Sequence, residues 1–157
     1  MLRFGRAARS FVTRRPALGY LAVTIAYAVT GKLALLLAVP PGYASSIFPP
    51  SGIAVAAVMI GGRGVLPWVF FGALVLNLVG HETEGTGWAA AGVIASASTL
   101  QAAIGAAVFR RALGYPALLD NGRDLLRFLV LSPAFCLTSA TLSLAGLWAL
   151  GVVQLGN

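Results

Sequence analysis

The chain alternates long apolar runs with short polar or turn-rich segments. The runs cover 17–39, 49–62, 65–79, 88–109 and 125–155. A helix rises about 1.5 Å per residue and the hydrocarbon core of a bilayer is about 30 Å thick, so about twenty apolar residues cross it. The pattern predicts an all-α, polytopic helical membrane protein with about five membrane segments, of which the second is short.

The second run begins with Pro49 and Pro50, followed by Ser51 and Gly52. Proline is tolerated in the first helical turn, where its missing N–H has no partner, and the Ser51 hydroxyl is available to a nearby free amide. At about 1.5 Å per residue the run 49–62 reaches only about 21 Å. It is therefore either extended by 43–48 in irregular backbone or a half-helix whose N-terminus opens into a protein-lined cavity.

Composition supports membrane insertion. Hydrophobic residues make up 59% of the chain and charged residues 10%, whereas soluble domains carry about 25% charged residues. A net charge of +7 can indicate a protein that binds nucleic acid. Here, however, the arginines lie outside the apolar runs, as the positive-inside rule predicts for a membrane protein. The expected partner is the lipid bilayer, not nucleic acid. Cys136, the single cysteine, is expected to be a small buried hydrophobic residue.

The charge distribution predicts the orientation. Residues 1–16 carry five arginines and no acid, which indicates a basic cytoplasmic flank before one transmembrane domain at 17–157. The other inner segments hold Arg63, Arg110, Arg111, Arg123 and Arg127, and the proposed outer ones hold no lysine or arginine. The N-terminus is therefore expected in the cytoplasm. A cleaved signal peptide is the alternative for the first run, but apolarity resumes at 33–39, which favours a retained span.

Two helical faces carry small or polar residues suited to packing against protein rather than lipid. In the first run this face consists of Tyr20, Thr24, Tyr27 and Gly31. In the fourth run it consists of Ala91, Ala95, Ser98, Gln101, Ala102 and Gly105.

A polar pocket beside the start of the second helix is the candidate ligand site. Its proposed residues are Lys32, Pro49, Pro50, Ser51, Gly52, Asn77 and Gln101. Each polar member has an alternative role: Lys32 can extend to the outer interface, Asn77 can cap a helix or bond a neighbouring helix, and Gln101 can serve helix packing.

No catalytic or metal site is predicted. An intramembrane nucleophile would need a histidine to activate it, and the only histidine, His81, lies in a predicted outer loop with Glu82 and Glu84. That cluster falls short of the usual ligand set of a zinc site. The chain is therefore expected to be non-catalytic, with no metal and no cofactor.

Several motifs together resemble the first family of membrane-associated sensor domains (MASE type), the N-terminal input modules of bacterial signalling receptors, over about residues 18 to 150. The motifs are Gly31-Lys32-Leu33-Ala34-Leu35, Phe48-Pro49-Pro50-Ser51-Gly52-Ile53-Ala54, Phe71-Gly72-Ala73 with Asn77, Ser98-Thr99-Leu100-Gln101-Ala102, Arg110-Arg111, and Arg123-Asp124-Leu125-Leu126. The family pattern usually has tryptophan at Phe48, asparagine at Ser98 and glutamate at Gln101.

The resemblance implies a sensory or ligand-binding input module in the bacterial inner membrane. Family members look like modules of about eight crossings joined to a cytoplasmic diguanylate cyclase or histidine kinase, so this chain is expected to be the first part of such a module or a shortened relative. The expected partners are a small-molecule ligand and a second copy of the chain or a signalling protein. The alternatives are a small transporter component and a structural subunit of a membrane complex.

Overall fold

The computed structural model describes residues 16–36, 48–80, 87–113 and 122–151. Their five α-helices are α1 (Pro16–Leu36), α2 (Pro49–Gly61), α3 (Leu66–Gly80), α4 (Gly87–Leu113) and α5 (Gly122–Ala149). A short 3-10 helix, Arg63–Val65, joins α2 to α3, and no strand occurs among the described residues. The all-α prediction is confirmed. The basic flank before Pro16 and the loop at His81 lie outside the described residues.

Helix length separates two classes. Helices α1, α4 and α5 are long and apolar enough to cross a membrane. Helix α2 has 13 residues and α3 has 15, so at about 1.5 Å per residue they reach only about 20 Å and 22 Å. The predicted short second segment is confirmed, with Pro49 as its first residue. The third segment is short as well.

The two short helices lie between α1 and α4. Each of them packs against both long helices, and α5 packs against α4. The core at these contacts is made mainly of small and β-branched side chains, with Tyr27, Ala54, Val58, Val65, Val69, Ala73, Leu76, Ala95, Ala102 and Ala106 all buried. Small residues let helices approach closely where apolar surroundings give no hydrophobic driving force.

The predicted packing face of α1 is confirmed. Tyr27 is 1% exposed and Gly31 lies against α3. The Thr24 hydroxyl donates to the Trp68 carbonyl oxygen of α3 at 2.9 Å, and the Tyr20 ring stacks on the Trp68 ring with centroids 5.9 Å apart. These contacts hold α3 against α1.

The predicted packing face of α4 is confirmed too. Ala91, Ala95 and Ala102 are at most 3% exposed, and Gln101 is 7% exposed. Ser98 is half-buried on the same face, where its side chain lies against the Tyr27 hydroxyl. Because this face meets protein, α4 is the central helix of the domain.

Gly62 forms the corner between the short helices. Its φ of +75° lies in the left-handed region that glycine adopts without steric cost. The Gly62 N–H donates to the Val58 carbonyl oxygen at 2.9 Å, which ends α2. Val65 in the 3-10 helix is 2% exposed and anchors the corner in the core. The end of α2 and the start of α3 therefore lie close together.

Helix α5 is the least covered of the long helices, with only 6% of its apolar window buried. Two of its rings pack on Phe109 of α4: Phe128 stacks on it at a centroid distance of 5.1 Å, and Phe135 meets it edge-on at 5.3 Å. The expectation that Cys136 is buried is wrong, because its side chain is exposed. It lies on α5, whose surroundings in this chain are mostly open.

Candidate functional site

A cavity of about 260 Å³ lies between α2, α4 and α5. Helix α2 contributes one wall, α4 the floor and α5 the opposite wall. The lining residues are Ser51, Gly52, Val55, Ala56 and Met59 of α2, Gln101 and Phe109 of α4, and Phe128, Ser132, Phe135 and Cys136 of α5. Its volume is slightly below the usual range for small-molecule pockets, about 300–1,000 Å³. The space fits a small molecule or part of a longer one.

Gln101 is the unusual residue of this cavity. It is 7% exposed, and within the described ranges it is the only polar side chain in the buried class. None of the described residues forms a hydrogen bond with its amide. Among the described residues no side-chain nitrogen or oxygen is both fully buried and unpaired, so the amide of Gln101 reaches accessible space, and Gln101 lines the cavity. A molecule bound in the cavity would therefore be able to form a hydrogen bond with the Gln101 amide.

The start of α2 offers few free amides to the cavity. Pro49 and Pro50 have no N–H, and the Ser51 N–H donates to the Phe48 carbonyl oxygen at 3.2 Å. The Ser51 hydroxyl donates to the same carbonyl at 2.8 Å. The expectation that this hydroxyl accepts from a helix amide is therefore wrong, and α2 has no side-chain cap. This helix end is therefore poorly suited to bind an anion.

Gly52 leaves part of the cavity open. A Cβ atom built on Gly52 meets nothing within 4 Å, and Gly52 is exposed although it lies in the first turns of α2. The site has a sulfur atom on each of two walls, from Met59 and Cys136. The Cys136 thiol thus reports on the cavity chemically, because it is the only cysteine of the chain.

Lys32 lies at another place in the fold. Its ammonium donates to the Val79 carbonyl oxygen at 3.3 Å, at the C-terminal end of α3, and the side chain is exposed. The last carbonyl groups of a helix lack intrahelical partners and carry the negative end of the helix dipole. Lys32 is therefore placed to stabilise the end of a short helix.

Asn77 also lies away from the cavity. Its amide nitrogen donates to the Ala73 carbonyl oxygen of its own helix at 2.7 Å. Of the sequence candidates, the structure brings Ser51, Gly52 and Gln101 together at the cavity. Pro49 is exposed at the start of α2 and Pro50 is buried there, and neither lines the cavity.

Arg110 makes the contact that sequence reasoning missed. Its guanidinium Nη2 donates to the carbonyl oxygens of Val58 and Met59 at 2.7 Å each, at the C-terminal end of α2. The pattern of charges indicated orientation only, and its position at the end of an apolar run gave no sign of a partner. Both short helices thus end at a cation supplied by a neighbouring long helix.

Two larger depressions in the described residues each have a polar lining side chain that is already paired. One, of about 490 Å³, has Ser96 among its lining, but the Ser96 hydroxyl already donates to the Gly92 carbonyl oxygen at 2.8 Å. The other, of about 530 Å³, lies beside Arg123 and Arg127, and Arg127 is paired with Asp124 at 3.4 Å. The described residues contain no group of three metal-ligating side chains.

Comparison with known families identifies the domain. The sequence profile of the MASE1 family matches residues 17–156, which is nearly the whole chain. The chain belongs to the MASE1 family. MASE1 is a family of membrane-associated sensor domains, so the resemblance found in the motifs is confirmed. Neither the curated proteins nor the solved structures yield a match.

Membership fits the fold. The apolar helices suit transmembrane segments, and a sensory input role agrees with the family. Pro49 and Pro50 begin α2, and Arg110 of the pair Arg110-Arg111 donates to a carbonyl oxygen at the C-terminal end of the same helix. Both motifs are among those quoted for the resemblance.

Proposed function

We propose that this MASE1 domain is a non-catalytic sensory input module of a bacterial inner membrane that binds a small molecule in the cavity between α2, α4 and α5. The observation that carries the proposal is the amide of Gln101, a residue only 7% exposed, which lines the cavity and is not bonded by any described residue. Ligand pockets combine an apolar lining with a few polar groups that orient the ligand.

Helix α2 links the cavity to the other end of the domain. Ser51 and Gly52 line the cavity in its first turns, and its last carbonyl groups are held by Arg110 of α4. A ligand that contacts α2 and α5 more favourably in one arrangement shifts the population toward that arrangement. Signalling then passes through α4, which packs against both α2 and α5, the two walls of the cavity.

The proposal includes the orientation of the chain in the membrane. The arginine distribution favours a cytoplasmic N-terminus, with Arg63 and Arg110 on the inner side. In a chain whose Cys136 is replaced by serine, Ala112→Cys and Gly85→Cys provide one probe for each side. A membrane-impermeant maleimide applied to intact cells should label residue 85 and spare residue 112, and the reverse pattern would show that the orientation is wrong.

Binding is tested by filling the cavity. Because a Cβ at Gly52 meets nothing within 4 Å, Gly52→Leu places its side chain into open space and replaces a poor helix former. Gly92→Leu is the matched control, since its Cβ also meets nothing within 4 Å and Gly92 lies outside this cavity.

The probe is a small-molecule extract of the host bacterium, added to the protein in lipid nanodiscs. The extract should raise the thermal unfolding temperature of the original protein and of Gly92→Leu, but not of Gly52→Leu, because a ligand stabilises only the state that binds it. Equal shifts in all three, or none in any, would contradict the proposal. Liposomes then separate sensing from transport: movement of the stabilising compound across the bilayer would indicate a transporter component instead.

A further inference from the structure

We propose that the cavity takes a neutral amphiphile with one hydrogen-bonding head, such as an aliphatic alcohol or amide, that enters from the bilayer. The head contacts Gln101 and the tail lies along the phenyl rings. This inference rests on the proposed function, in which the cavity binds a small molecule, and it adds the chemical class of that molecule.

The charge of the ligand follows from the lining. None of the lining residues is ionisable at neutral pH as a cation or carboxylate, and the start of α2 has few free amides because of Pro49 and Pro50. Moving an ion from water into such surroundings without a counter-charge or several hydrogen bonds is strongly unfavourable. The part of the ligand that lies in the cavity is therefore uncharged.

The head of the ligand follows from Gln101. A carboxamide has a carbonyl oxygen that accepts hydrogen bonds and an NH₂ group that donates them. No described residue forms a hydrogen bond with either group of Gln101. The hydroxyl groups of Ser51 and Ser132 already donate to the carbonyl oxygens of Phe48 and Phe128, at 2.8 Å and 2.7 Å. A hydroxyl or amide head, which both donates and accepts, matches Gln101 better than a simple alkane.

The tail follows from the shape of the site. The α2 wall runs from Ser51 to Met59, which is about 12 Å at about 1.5 Å per residue. Phe109, Phe128 and Phe135 line the other side. An apolar space of this length suits a chain of methylene groups, because the burial of each methylene group is favourable.

The direction of entry follows from the arrangement of the walls. Helices α2 and α5 both lean on α4, so the cavity is the space between them. Cys136 on the α5 wall is exposed and Phe128 is 37% exposed. The exposed apolar side chains Leu129, Val130 and Leu137 of α5 favour hydrocarbon surroundings, so an amphiphile dissolved in the bilayer would reach the cavity without crossing water.

The test uses the Cys136 thiol as its reporter. The protein in nanodiscs reacts with N-ethylmaleimide while 1-decanol, n-decane or decanoate is titrated over the same series of mole fractions in the lipid. We expect 1-decanol to halve the labelling rate at a mole fraction about threefold to tenfold lower than n-decane, as one hydrogen bond provides. Decanoate should protect no better than n-decane.

Two variants locate the effect. Gln101→Leu should remove the preference for 1-decanol over n-decane, since it has no amide to bond. Ser96→Ala should keep that preference, because Ser96 lies on the same helix outside the cavity. The comparison of decanol with decane in the unsubstituted protein needs no variant, so it holds even if Gln101→Leu folds poorly.

Each outcome has a distinct meaning. Equal protection by 1-decanol and n-decane, or strongest protection by decanoate, would overturn the assigned ligand class while leaving the cavity as a binding site. Absence of protection by every probe, together with a thermal shift from the bacterial extract, would also overturn the class and preserve the proposed function. Absence of both would contradict the proposed function itself.

Discussion

Removal of the Arg110 guanidinium should release the end of α2. In Arg110→Met, a side chain of similar length keeps the apolar packing and loses the two donors to the carbonyl oxygens of Val58 and Met59. Those oxygens belong to the last turn of a short helix, whose final carbonyl groups have few donors within the helix. The Val58 oxygen also accepts from the Gly62 N–H at 2.9 Å.

The magnitude follows from these contacts. A hydrogen bond to a charged group contributes about 1.5–3 kcal/mol, and a cation at a partly buried helix C-terminus contributes up to about 2 kcal/mol. The contributions overlap, because the same charge makes both. Arg110 is half-buried, so water replaces part of what is lost. We expect Arg110→Met to lower the free energy of unfolding by about 2–4 kcal/mol.

Arg111→Met is the matched control. It removes one positive charge from the neighbouring position, and Arg111 is exposed. An exposed substitution away from such contacts changes stability by about 0.5 kcal/mol or less. Arg110→Lys should fall between the two, because an ammonium lacks the fork geometry of the guanidinium.

Unfolding by sodium dodecyl sulfate in mixed micelles gives the measurement, followed by tryptophan fluorescence. Trp68, which stacks on Tyr20 between α1 and α3, makes the signal sensitive to tertiary packing. Hydrogen exchange along α2 provides the local readout and should accelerate in Arg110→Met. Equal destabilisation by Arg110→Met and Arg111→Met would refute the reasoning, because it would assign the effect to net charge alone.

Further substitutions test the rest of the fold. Gly72→Ala should lower the free energy of unfolding by about 1–3 kcal/mol, since its Cβ would lie 3.2 Å from the Thr24 carbonyl oxygen; Gly92→Ala, with nothing within 4 Å, should leave stability unchanged or raise it in the same detergent titration. Lys32→Met should lower the free energy of unfolding by about 1 kcal/mol or less, because the hydrogen bond from Lys32 to the Val79 carbonyl oxygen is exposed. A decrease as large as that of Arg110→Met would contradict this. Gly52→Ala should stabilise α2 by roughly 0.5–1 kcal/mol, and destabilisation would show that the open space beside it is needed for folding.

The sequence by itself determined the helices and their packing faces, because these depend on local features. Apolar runs of limited length fix the spans, and Pro49 fixes the start of the short helix α2. Small residues on one side of α4 were enough to predict which face is buried, since small side chains permit close helix contacts. Gln101 lies on the same face. The same information identified the family through its motifs.

Only the tertiary structure decided which polar groups meet. Lys32 and its partner Val79 are 47 positions apart, and Arg110 and Val58 are 52 apart, so no local pattern connects them. Arg110 and Arg111 are the same residue type, yet successive side chains on a helix point about 100° apart, and the packing of α4 against α2 determines that Arg110 makes the contact. The cavity has the same origin, because it is the space that α2 and α5 leave between them over α4.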